Sequence, residues 1–262
     1  MKIAPTSRIP GEKTCEYQPS LTIPEPFARN IFKKEDVTNL SESSKNYILS
    51  IVENSNYGFF KPHDLDKDTI EYNQQGGAQW TGASVDPYKN IMYVTASNIP
   101  WVVGVKALDS NKGITKYIDK REDPLRDLDG YPGVKPPWGT LTAINLNSGK
   151  IIWQVPLGYY KKLRDKGIIT GTENFGGATA TAGGLVFASG TLDKLIRAFD
   201  SKTGRELWSY ELPYIGSAPP TSYEVNGEQY IVIPATGGIT LKMFYSDIVE
   251  QGDAVVAFKI KN

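Results

Sequence analysis

His63 is the only histidine and Cys15 the only cysteine in 262 residues, and that scarcity bounds the chemistry. One histidine cannot build a multi-histidine zinc site, and a Ser-His-Asp triad is possible only with His63 as its base. One thiol excludes an internal disulfide and a CxxC metal site. The run Asp64-Leu-Asp-Lys-Asp68 opens like a calcium loop, but Thr69 stands where the tight turn needs glycine, and Gln75 where the loop needs its bidentate glutamate. Gly176-Gly177 and Gly183-Gly184 lack the GxGxxG spacing between a strand and a helix, so a nicotinamide site is also set aside. Most hydrolase, zinc and nicotinamide chemistries are removed by these residues alone.

The elements that would position any remaining chemistry are mostly strands. Lys plus Arg and Asp plus Glu both number 29, so no net field favours nucleic acid or an anionic membrane. No apolar run is long enough to span a bilayer, and the first residues lack the apolar core of a signal peptide. Pro5, Pro10, Pro19, Pro24 and Pro26 are too closely spaced for a helix or a central strand, which predicts an extended N-terminal arm. Ser41 or Ser43 can cap a short helix whose apolar residues are Tyr47, Ile48, Ile51 and Val52. We therefore expect an arm and helical insertion over 1–72 and a β domain over 73–262.

Within that β domain, Ala143-Ile-Asn-Leu-Asn-Ser-Gly-Lys-Ile-Ile-Trp153 matches Ala198-Phe-Asp-Ser-Lys-Thr-Gly-Arg-Glu-Leu-Trp208 position by position. Each copy is a strand, a tight turn and a second strand: Asn145 or Asp200 accepts turn N–H groups, Gly149 or Gly204 supplies the positive φ, and the tryptophan packs on a neighbour. Such a hairpin cannot bury both faces alone, so repetition points to propeller blades, with a β-sandwich as the alternative. One blade is written over 177–182, 185–190, 195–200 and 206–210. A next blade begins near Ala218 and reaches only about three strands by residue 260, leaving an open edge.

Six segments in order then resemble the pyrroloquinoline quinone (PQQ)-dependent, or quinoprotein, dehydrogenases, most closely their glucose-dehydrogenase-like branch. They are Pro10-Gly-Glu-Lys-Thr with Gln18-Pro19, Pro26-Phe-Ala-Arg29, Gly76-Gly-Ala-Gln-Trp80, Asp129-Gly-Tyr-Pro-Gly-Val-Lys-Pro-Pro-Trp-Gly-Thr140, Gly176-Gly-Ala-Thr-Ala-Thr-Ala-Gly-Gly-Leu-Val-Phe187 and Tyr223-Glu-Val-Asn-Gly-Glu-Gln-Tyr230. The resemblance implies an all-β, eight-bladed propeller of which this chain matches the C-terminal half, with PQQ and Ca2+ on the axis. It implies oxidation of a sugar or alcohol hydroxyl, with electrons passed to a quinone or cytochrome, in the periplasm. The family's aspartate base and metal ligands belong to the preceding half, so no catalytic residue or metal ligand is assigned here, and that half is an expected partner. The alternatives are a non-catalytic propeller scaffold and an inactive truncated gene product.

For the cofactor, the resemblance points to Gln79 and Trp80, where the family usually has Asn-Trp, and to Asn174 and Phe175, where some relatives carry an axial tryptophan. PQQ is a flat, triply carboxylated orthoquinone, which needs an aromatic or apolar floor and donors around its rim. Both pairs open a first strand in the blade reading, so both are expected at one mouth of the central channel.

Overall fold

The computed structural model describes residues 2–3, 5–19, 21–72, 77–78, 80–108, 116–238 and 249–260. The chain divides into two interleaved units, one of Met1–Thr22, Arg29–Gly77 and Asn98–Lys135, the other of Ile23–Ala28, Ala78–Ser97 and Pro136–Asn262. The expected boundary near residue 72 follows the chain, whereas packing groups 98–135 with the first unit. Its strands Trp101–Ala107 and Tyr117–Pro124 join Asn56–Tyr57 and Thr69–Glu71 in a four-stranded sheet. Only their long-range partners place those two long strands in this sheet.

In the first unit the helix Glu42–Glu53 starts where Ser41 Oγ accepts the Ser44 N–H at 3.1 Å, which resolves the capping choice in favour of Ser41. Ile48 and Val52 on one face are buried, while Tyr47 is exposed. The arm is largely irregular, as its prolines require, with one short pairing of Lys2–Ile3 and Tyr17–Gln18.

The second unit is built of sheets arranged as propeller blades. The first orders Lys150–Pro156, Gly139–Asn145 and Ile91–Ser97, with Ser84–Asp86 also paired to Ile91–Ser97. The second runs Ala178–Ala180, Leu185–Ala188, Leu195–Asp200 and Glu206–Glu211, within a few residues of the blade expected from sequence. The third runs Thr221–Val225, Glu228–Ala235 and Ala254–Lys259. The middle sheet is apolar on both faces because both are covered: Val186, Ala188 and Phe199 pack with Tyr93, Leu141 and Leu157, while Phe187, Ile196 and Ala198 pack with Ile231 and Ile233.

The two repeats fold alike. Asn145 Oδ1 accepts the N–H groups of Asn147 and Ser148 at 2.9 and 3.0 Å, and Asp200 Oδ1 those of Lys202 and Thr203 at 3.0 and 2.8 Å. Thr203 Oγ1 also donates to Asp200, and these bonds hold its carboxyl below the usual carboxylate range. Gly149 and Gly204 have φ of +65° and +71°. Trp153 of the first copy reaches the second: its Nε1 donates to Ser201 O at 3.1 Å, and its ring lies where a Cβ on Gly204 would come within 2.6 Å of Cε3. The arm segment Ile23–Ala28 covers the first copy, with Ile23 against Gly149 and Gln154 Nε2 donating to Phe27 O at 2.8 Å.

Candidate functional site

The N-terminal edge strands of the three sheets, Ser84–Asp86, Ala178–Ala180 and Thr221–Val225, are tied side by side by hydroxyls. Ser84 Oγ accepts the Ala180 N–H at 2.9 Å, and Thr179 Oγ1 donates to Pro220 O. The segments that lead into two of these strands carry the expected cofactor residues. Gln79 lies outside the described residues. Trp80 sits in a turn with its side chain 88% exposed, so it offers an uncovered aromatic face. Phe175 is half-buried against the cluster of Ile215 and Val249. The residue after each aromatic makes the joint between them: Thr81 Oγ1 donates to Gly176 O at 3.0 Å. The structure therefore brings the Trp80 and Phe175 segments together across two sheets, although they are far apart in sequence.

Asn174 has a different job. It is fully buried, its Nδ2 donates to Ala96 O at 3.0 Å, its N–H donates to Ser97 Oγ at 3.2 Å, and its backbone bridges Thr191. It latches the first sheet to the second. Only its Oδ1 has no partner among the described residues, and that atom is an acceptor. The fit to PQQ divides accordingly. The exposed Trp80 ring and the Phe175 ring suit an aromatic floor, whereas Asn174 is fully buried with one of its two amide N–H groups on Ala96 O. Among the described residues no group of three or more His, Cys, Asp or Glu side chains gathers as a calcium site would need.

Behind the latch lies a polar network the sequence did not reveal. Thr191 Oγ1 donates to Asp193 Oδ1, and Asp193 also takes the N–H groups of Tyr159 at 3.1 Å and Leu195 at 3.2 Å. Arg197 closes it with a bidentate pair to Asp193, both side chains 3% exposed, and a further bond to Glu206 Oε2 at 3.2 Å. The one legible sign was an Asp and an Arg four residues apart around a strand start, a spacing also common on open surfaces. Trp138 is fully buried edge-on to Tyr160 at 5.3 Å.

Comparison with known proteins agrees with this architecture. The family described as "PQQ: Glucose/ethanol/alcohol dehydrogenase, beta-propeller domain" matches residues 1–231. The glycerol dehydrogenase large subunit of Gluconobacter oxydans is 32% identical over 265 aligned residues, covering 88% of this chain and 35% of that protein. The quinate/shikimate dehydrogenase (quinone) of Acinetobacter baylyi is 28% identical and covers 97% and 34%. Among solved structures, a quinohemoprotein alcohol dehydrogenase from Comamonas testosteroni superposes with a TM-score of 0.57 at 22% identity, covering 75% of this chain and 28% of that one. A europium-containing methanol dehydrogenase gives 0.60 at 18% identity, covering 90% and 40%. The chain thus spans about a third of the length of the curated relatives it matches.

Proposed function

From the fact that this chain belongs to the PQQ-dependent glucose/ethanol/alcohol dehydrogenase β-propeller family, we propose that it forms part of an enzyme that oxidises a sugar or alcohol hydroxyl, with electrons leaving to a quinone or cytochrome. Bound PQQ would supply the two-electron acceptor that no side chain provides. The observation that carries the reading is the Thr81–Gly176 bond, which sets the Trp80 and Phe175 rings on adjoining segments. In that arrangement Trp80 and Phe175 offer the ring system apolar faces and exclude water from them. Asn174, with the Asp193–Arg197 pair behind it, keeps the two segments in register. Gln79 is proposed as an amide at the rim.

The base and the Ca2+ ligands are assigned to propeller blades outside these 262 residues, in the same polypeptide or a neighbouring one. The third sheet supports this: among the described residues its outer strand Ala254–Lys259 pairs on one edge only, where the second sheet carries a fourth strand. The family's periplasmic setting belongs to the same proposal; among the described residues no helix is long and apolar enough to cross a membrane.

The test is binding and turnover measured on one preparation. The 262-residue chain should bind PQQ by calorimetry, with affinity falling about tenfold in Trp80→Ala and in Phe175→Ala, as loss of one aromatic contact implies. It should reduce no dye with glucose or simple alcohols until the remaining blades are supplied. Unchanged PQQ affinity in both variants would refute the site, and PQQ- and calcium-dependent turnover by the chain alone would refute the division of labour.

A further inference from the structure

In the second unit the strand Ala254–Lys259 ends the third sheet, and among the described residues its far edge carries no partner, where the second sheet has the strand Glu206–Glu211. Native proteins blunt such an edge with charge, proline or a bulge. The run Ala254-Val-Val-Ala-Phe258 has none of these. Lys259 stands at its end and is held by its own sheet, Nζ donating to both carboxylate oxygens of Glu228 at 2.9 and 3.0 Å.

The two faces of the strand differ. Ala254, Val256 and Phe258 pack against the core between the second and third sheets. Beside them a cavity of about 460 Å³, walled by Phe187, Trp208, Ile231 and Phe258, stays open and leaves Trp208 partly exposed. Val255, Ala257 and Lys259 face the other way and are exposed. A further strand on this edge would continue the apolar face and bury more of Trp208.

The residues along the edge select that strand. When a strand pairs antiparallel with its own copy across a two-fold axis normal to the sheet, one residue faces itself and residues equally far on either side face each other. With Val256 on the axis, Val255 faces Ala257, Ala254 faces Phe258 and Asp253 faces Lys259. Asp253 is exposed, so both ends of the ladder close on opposite charges. With Val255 on the axis Lys259 would face Gln251, and with Ala257 it would face Val255, so neither register matches a charge. We propose that this edge binds a second copy of the chain through Asp253–Lys259, joining the three strands of each copy into one continuous sheet. The contact is isologous and therefore closes at two copies. The edge takes one strand at a time, so the second copy holds it only while the remaining blades do not. The Trp80 and Phe175 surface lies on other residues, and failure of the dimer would leave that reading untouched.

Analytical ultracentrifugation of the full chain should show a passage from monomer to dimer between about 1 and about 100 µM, the range of a small interface. Asp253→Lys sets lysine against Lys259 at both ends and should weaken the dimer about tenfold. Glu35→Lys, the same change of charge on the first unit, should leave it unchanged. In a Cys15→Ser background, mild oxidation should link Val256→Cys to its own copy and leave Lys259→Cys unlinked, because only the axis residue meets itself. Monomer at every concentration would overturn the proposal, as would growth beyond two copies. So would a dimer that Asp253→Lys leaves intact, or linkage at 259 in place of 256.

Discussion

At Gly204 a side chain meets two obstacles, a φ of +71° and the Trp153 ring 2.6 Å from its Cβ position. At Gly149 the φ is +65°, but the obstacle is a methyl of Ile23, an exposed residue with room to turn. Gly204→Val should therefore cost more than about 2 kcal/mol and Gly149→Val more than about 1 kcal/mol. Urea midpoints at constant m-value check both, and the reverse order would show that the Trp153 contact is not what constrains Gly204. These turns were legible because their logic is local: a carboxylate or amide, a short spacer and a glycine specify them without reference to the rest of the chain. Asn174 was not legible in the same way. Its partners Ala96 and Ser97 belong to another sheet, so the sequence could mark it as an amide near the axis but not as a latch.

Among the elements, the helix Glu42–Glu53 and the four strands of the second sheet follow from cap and alternation signals within each stretch. The return of Asn98–Lys135 to the first unit does not, because it rests on pairing with Thr69–Glu71, distant in the chain, which no local signal marks. The strand Leu195–Asp200 holds the network of Asp193, Arg197 and Thr191, whose worth can be measured. Arg197→Leu leaves Asp193 as a buried, unpaired carboxylate and should destabilise by about 3–5 kcal/mol. Adding Asp193→Leu to that variant should recover part of the loss, because an apolar pair strands no charge. Denaturant titration of the single and double variants decides it, and additive losses would show that the two side chains act separately.

Over the whole molecule, the second unit repeats one joint with a direction. The tryptophan of the first repeat seats on the turn of the second, through Ser201 O and Gly204. Its counterpart Trp208 has no such seat among the described residues and rests edge-on against Phe258 at 5.2 Å, still 39% exposed. Under tension this asymmetry becomes a mechanical polarity. At the tryptophans the first two sheets are pinned by a hydrogen bond that must shear, whereas there the third adheres to the second through ring contacts that can be peeled one at a time, its polar ties being the Thr179–Pro220 bond and the exposed Lys194–Glu250 pair. Pulled from the end that follows Lys259 in an optical trap, the chain should yield the third sheet at lower force, as a separate step before the others. Trp153→Phe, which removes the indole donor, should narrow the gap between the two forces, and a single rupture in the parent chain would show that the joint has no such polarity.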